Sequence, residues 1–130
     1  MSAYLMVAIG GALGAMSRFA VGKWLNDLML KTWPFNSVFP WATFFINVVG
    51  SILIGFVFVL MTEKITSLET YRPLIVIGFL GAFTTFSTFS LEIISLINQQ
   101  AWLSAISYLL LSCFFGVVGA ALGMFMGRLL

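Results

Sequence analysis

From Gly81 to Ser90, five of ten residues carry hydroxyls: Thr84, Thr85, Ser87, Thr88 and Ser90. They alternate with Phe83, Phe86 and Phe89, and the acid Glu92 follows two residues later. One or two hydroxyls in an apolar helix need no special account, because each bonds back to the carbonyl one turn earlier. A run of five does. Thr84, Ser87 and Ser90 recur every third residue, as do the three phenylalanines, so strips of hydroxyls lie beside strips of ring edges. Such a surface offers an ion neutral donors in place of water, and the chemistry it predicts is an ion path. The competing reading is a Ser/Thr-rich helix contact that bonds only to its neighbours.

Three further sites add polar groups to apolar surroundings. Asn47 stands alone in an otherwise apolar second segment, with Gly50 and Ser51 one turn on, and an amide in lipid must face protein or water. Glu92 is the only acid within the four apolar segments drawn below, which makes it a functional candidate, with a paired or end-of-helix carboxylate as the alternative. Tyr108 and Ser112 place hydroxyls on one face of the last segment. Other chemistries lack their tools. With no His and a single Cys113 in a hydrophobic run, there is no basis for a zinc site, a disulfide framework or a Cys/His nucleophile. No nucleophile, base and orienting group recur together, so an enzyme is not expected.

These residues need a bilayer to be positioned in. Of 130 residues, 62% are hydrophobic and 8% charged, with six Lys/Arg against four Asp/Glu. An ordinary soluble domain carries roughly 25% charged residues, so a soluble fold is excluded. The net charge of +2 is dispersed, which excludes a nucleic-acid footprint. Four segments reach the roughly 20 residues a span needs, at about 3–22, 38–61, 73–97 and 101–127. The first loop is punctuated by Trp33, Pro34, Asn36, Ser37 and Pro40, the second by Glu63, Lys64, Glu69, Arg72 and Pro73, and a tight third by Asn98, Gln99 and Gln100. An amphipathic linker is expected after the first span. No basic residue precedes Arg18, so the first segment is expected to stay as a span rather than act as a signal peptide. The prediction is an all-α membrane protein of four transmembrane helices, forming one transmembrane domain over residues 1–130.

With four spans, Lys64, Arg72 and Arg128 share the side of the termini, and Lys23, Lys31 and Arg18 face the other. The count is three against three, or three against two if Arg18 is intramembrane. A Lys/Arg excess normally sets orientation. Here insertion in both directions is open, beside a weak bias reinforced by other signals. Small residues at helical spacing, Gly10 with Gly14, Ser51 with Gly55, and Gly116, Gly119, Gly123 and Gly127, predict close helix contacts. The poor helix formers between Gly81 and Ser90 predict a break in the third span, since irregular backbone survives in a membrane only inside protein or beside a watery cavity.

The heptad Thr84-Thr85-Phe86-Ser87-Thr88-Phe89-Ser90 closely resembles the signature of the Fluc family of fluoride channels. So do the Gly10, Gly11, Gly14 and Arg18 pattern in the first span and the Asn47, Val48 and Gly50 element in the second. The resemblance covers essentially the whole chain. Ala82 and Gly116 depart from it, where the family often has a second glycine and a polar residue respectively. The resemblance implies an antiparallel, dual-topology homodimer in the bacterial inner membrane, with the third helix broken near its middle and two fluoride pores. It implies that Phe86 and Phe89 turn ring edges to the anion, that Asn47 donates to it, and that Ser87, Thr88, Ser90, Tyr108 and Ser112 line a polar track with Glu92 nearby. Arg18 would sit in the vestibule. A structural sodium ion would lie on the two-fold axis, held by the backbone carbonyls of Gly81 and Thr84. The chemistry is coherent: a small, strongly hydrated anion needs donors that replace water without a fixed cation to trap it, and ring edges are weakly positive.

Two other functions compete. A small four-helix multidrug exporter has similar length but needs a proton-exchanging acid in its first helix, where segment one offers Arg18 and no acid. A non-transporting membrane scaffold would use the glycine faces and leave the hydroxyl run without purpose.

Overall fold

The computed structural model describes residues 1–32 and 38–130. The loop-one punctuation at Trp33, Pro34, Asn36 and Ser37 therefore lies outside the described residues. Every described element is helical. Helix α1 (Ala3–Thr32) is followed by α2 (Trp41–Val59), which continues into a π turn at Leu60–Lys64. A short 3₁₀ segment at Thr66–Tyr71 leads to the third span. That span opens as a π-helical stretch, Pro73–Leu80, runs into α3 (Gly81–Phe83), breaks, and resumes as α4 (Phe86–Asn98). Helix α5 (Trp102–Leu129) completes the chain. Among the described residues four helices are long and apolar enough to cross a membrane, at Ala3–Met29, Trp41–Lys64, Pro73–Asn98 and Trp102–Leu129. Each agrees with its expected segment to within a few residues, except the first.

The amphipathic linker expected after the first span is part of α1 itself. No helix breaker stands between Gly22 and Thr32, so the helix runs on for 30 residues and brings Asp27 into the first helix. At the third turn, Gln100 takes a positive φ of 58° and reverses the chain between α4 and α5.

Small residues set the helix contacts, as their spacing predicts. Helix α1 packs on Pro73–Leu80, and α5 packs along α2. A side chain on Gly10 would run into the Leu74 carbonyl, and one on Gly14 into the Phe79 carbonyl. Gly55 faces the Ala120 carbonyl and Gly123 the Ile52 carbonyl in the same way. Backbones this close gain dispersion and exclude lipid, which is how helices associate where no hydrophobic force separates them from the solvent. Gly78 completes the first contact from the facing strip, with Gly10 Cα 2.9 Å from where its Cβ would stand. Gly116, the top of the expected stripe, meets only Ser51 Oγ, at 3.7 Å.

The interior cluster of Phe44, Phe89, Leu96, Ala105 and Tyr108 joins α2, α4 and α5. Outward faces are apolar, as lipid requires: Tyr4 on α1 is 91% exposed and Leu103 on α5 83%. At the end where α2 and α5 finish together, Arg128 Nη2 pairs with Glu63 Oε1 at 3.0 Å and Lys64 Nζ donates to the Arg128 carbonyl at 3.2 Å. Lys64 and Arg128 thus share one side, as the four-span count requires.

Candidate functional site

The break falls at Thr84 and Thr85, in the middle of the expected run from Gly81 to Ser90, and Gly81 to Phe83 still form a helical turn. Thr84 (φ −83°, ψ 157°) and Thr85 (φ −148°, ψ 119°) are both extended. Two local devices end one helix and start the next. Thr84 closes the first by donating both its backbone N–H (3.0 Å) and its Oγ1 (2.9 Å) to the Leu80 carbonyl. Thr85 opens the second as N-cap, its Oγ1 accepting from the Thr88 N–H at 3.2 Å and donating to Thr88 Oγ1 at 3.0 Å.

Asn47 holds the gap. Its Oδ1 accepts the Thr85 N–H at 2.9 Å, and its Nδ2 donates to the Thr85 carbonyl at 3.2 Å. One side-chain amide therefore replaces both backbone partners that the break took from Thr85, and one Nδ2 hydrogen remains uncommitted. Two carbonyls lose their helical donors as a result. The Thr85 N–H that would have reached Gly81 goes to Asn47, and the Thr88 N–H that would have reached Thr84 goes to the Thr85 hydroxyl.

A cleft of about 390 Å³ opens beside the break. Asn47, Thr84, Thr85, Phe86, Phe89 and Ser112 line it together with Gly50, Ser51 and Cys113. Ser112 Oγ is buried and without a hydrogen-bond partner, a donor left available to whatever occupies that space. Phe86 is 80% exposed, whereas Phe89 is 7% exposed, with its ring 5.8 Å from that of Phe86 and 5.1 Å from that of Tyr108. A second cavity, of about 660 Å³, joins Arg18, Lys23 and Asp27 on α1 to Thr43, Thr85 and Thr88. Arg18 makes no ion pair among the described residues, and this cavity leads from its charge to the break.

Glu92 is neither isolated nor at a helix end. Thr43 Oγ1 donates to its Oε1 and Tyr108 OH to its Oε2, each at 2.7 Å. Tyr108 is fully buried, with its ring edge-on to those of Phe39 and Phe89. The structure thus gathers Arg18, Asn47, Thr84, Phe86, Thr88, Phe89 and Ser112 on the two cavities at the break. The other predicted residues line neither cavity: Glu92 and Tyr108 bond to each other behind Phe89, Gly81 and Ser87 are exposed, and Ser90 turns its Oγ back to the Phe86 carbonyl at 2.9 Å.

Three contributors were not singled out as sites from sequence. Thr43 lies one turn before Asn47, so Asn47 does not stand alone in its helix, and the i, i+4 spacing of two polar residues was the available signal. Thr85 was visible only as one more hydroxyl of the run. Gly50 was visible only as part of a motif. Helix α1, longer than the segment 3–22, does carry an acid, Asp27, but it lies near the helix end beside Lys23 rather than within the span core.

Residues 5–124 match the family described as CrcB-like protein, Camphor Resistance (CrcB). The chain belongs to this family. Its relatives include a protein of Magnetococcus marinus named "Fluoride-specific ion channel FluC", 41% identical over 128 residues that cover 95% of this chain and 96% of its own. Proteins of the same name from Hahella chejuensis (40% over 124 residues, 95% of this chain and 93% of its own) and Hydrogenobaculum sp. (41% over 127 residues, 98% of each) are similarly close. The match of these CrcB-like relatives runs through every element around the break. They carry the names of channels, not of enzymes, and the multidrug-exporter alternative finds no support among them.

Proposed function

We propose that this protein is a fluoride-selective channel that lets the anion leave the cell passively across the bacterial plasma (inner) membrane, lowering cytoplasmic fluoride toxicity. The observation that carries the reading is the cleft at the break. Its largely apolar walls, Ile54 and Val117 among them, carry an amide, hydroxyls and two phenyl rings with no fixed charge, in a chain about 40% identical to proteins named as fluoride-specific channels. Neutral donors replace the water of a strongly hydrated anion without holding it too tightly to leave. Arg18, which lines the second cavity, raises the local anion concentration on the way to the break. Hydrogen fluoride driven in by external acid dissociates inside, and the membrane potential then expels the anion, so no coupling ion is needed. Liposomes bearing the purified protein are expected to release fluoride readily and chloride slowly, with no imposed proton or sodium gradient. Equal release of the two anions, or a strict requirement for such a gradient, would sink the proposal.

The working unit in this reading is an antiparallel, dual-topology homodimer. Phe86, Ser87 and Thr88 are exposed on one chain although they lie in a span, and polar groups in hydrocarbon need a partner or water. A second copy on this face, with its own cleft, gives two pores. The even count of basic residues permits both insertions.

The same dimer accounts for the freed carbonyls of Gly81 and Thr84. Gly81 is exposed, and a Cβ placed on it would meet nothing nearer than the Val76 carbonyl, at 3.6 Å. Two copies brought together there contribute four main-chain oxygens. Those oxygens suit a structural sodium ion, which supplies the positive charge that converging carbonyl dipoles lack. Among the described residues no cluster of carboxylates or thiols offers a divalent ion a competing site. A high-resolution map of the dimer is expected to show a single cation at the axis between the Gly81 and Thr84 carbonyls. A straight third helix, or an axis filled by apolar side chains, would remove both the ion and the two-pore arrangement.

A further inference from the structure

We propose that Gly50 is a positioning residue for permeation: the space left by its missing side chain is the socket that seats the Thr84 methyl and so sets the angle of the break. The inference rests on the channel reading above. Asn47 fixes Thr85 by two hydrogen bonds, but a clasp at one residue leaves the chain free to pivot about it. The residue before it needs its own restraint. Thr84 has one, since its Oγ1 is tied to the Leu80 carbonyl at 2.9 Å, and that bond turns its Cγ2 toward α2. There it meets Gly50, one turn after Asn47, at a position where a Cβ would overlap the Thr84 methyl outright.

The overlap is confined to one atom. The next neighbours of a Cβ at Gly50 would be Phe83 Cδ1 at 3.5 Å and Thr84 Cβ at 3.7 Å, both ordinary contacts. At the packing glycines of the α2–α5 contact the space is met by the facing helix, by carbonyl oxygens at Gly55 and Gly123 and by the side chains of Ile52 and Val59 at Gly119 and Gly127. At Gly50 the atom that fills it belongs to the break itself, a side-chain methyl of an extended residue. Asn47 and Gly50 thus present one helical face that grips two successive residues, Thr85 by its peptide groups and Thr84 by its methyl. Displacing Thr84 moves the wall of the cleft that both residues line.

The geometry supplies its own rescue. Thr84→Ser removes the methyl but keeps the Oγ–Leu80 bond, so the cost of Gly50→Ala should depend on which residue stands at 84. In the native background, Gly50→Ala is expected to lower fluoride flux per protein in liposomes about tenfold or more, the scale on which overpacking displaces a well-seated segment. In the Thr84→Ser background the same substitution is expected to cost less than about twofold. If Gly50→Ala alone does not yield folded protein, the Gly50→Ala, Thr84→Ser double variant is expected to fold and conduct. An equal cost in both backgrounds, no cost in either, or failure of both variants to fold overturns the socket. Absence of fluoride flux from the native protein would instead overturn the channel reading, and the two failures are told apart by that control.

Discussion

Replacing Phe86 and Phe89 together by isoleucine is expected to lower fluoride flux in liposomes roughly a hundredfold, if each ring edge contributes on the order of 1–1.5 kcal/mol at the barrier. Isoleucine keeps apolar bulk but has no polarised edge. The two positions differ in what else they do. Phe86 is 80% exposed, so Phe86→Ile should leave thermal stability almost unchanged while lowering flux. Phe89 belongs to the interior cluster, against Tyr108 at 5.1 Å, so Phe89→Ile should lower both flux and the unfolding midpoint. Arg18→Ala is the contrast. A charge in the vestibule concentrates the anion without replacing its water, and its loss should cost only a few-fold, less still at high salt. Full flux from the double phenylalanine variant in an intact assembly would return both rings to packing.

Asn47→Asp is expected to be the most damaging single substitution at the site, with flux at least about a hundredfold below the native protein. The change is nearly isosteric, which makes it informative. A carboxylate still accepts the Thr85 N–H, but it cannot donate to the Thr85 carbonyl that now takes the amide hydrogen at 3.2 Å. The half-buried carbonyl is left facing a negative oxygen and loses a hydrogen bond worth about 1 kcal/mol. The charge also stands in the wall of an anion path, where it repels the permeant ion. Asn47→Ala should be milder in flux and clear in stability, since it strands both Thr85 groups without adding charge. Fluoride release and thermal unfolding measured on both variants separate the two effects. An aspartate variant that conducts at half the native rate or better would show that the amide neither secures the break nor borders the barrier.

Much of this protein follows from its composition and spacing. The scarcity of charge dictates a bilayer, because a chain with 8% charged residues has too few to coat a surface facing water. Span number, the helix-packing glycines and the placement of a break in the hydroxyl run follow from segment length, small-residue periodicity and poor helix formers. One-dimensional reading failed where a signal was missing or shared. Nothing in residues 23–32 looks like a span, yet nothing there stops a helix either, and α1 continued until its pattern ran out. The hydroxyl run was legible as a site, but which hydroxyl does what was not, because Thr84, Thr85, Ser87, Thr88 and Ser90 are chemically near-equivalent in a string. Tertiary structure divided them: Thr84 closes a helix, Thr85 caps the next and is held by Asn47, and Ser90 bonds back to its own backbone. The same holds for Glu92, whose partners Thr43 and Tyr108 lie 49 and 16 residues away. A residue's type and local spacing fix what bonds it can make. Which of them it makes depends on what another helix brings within 3 Å, and that is decided only when the helices meet.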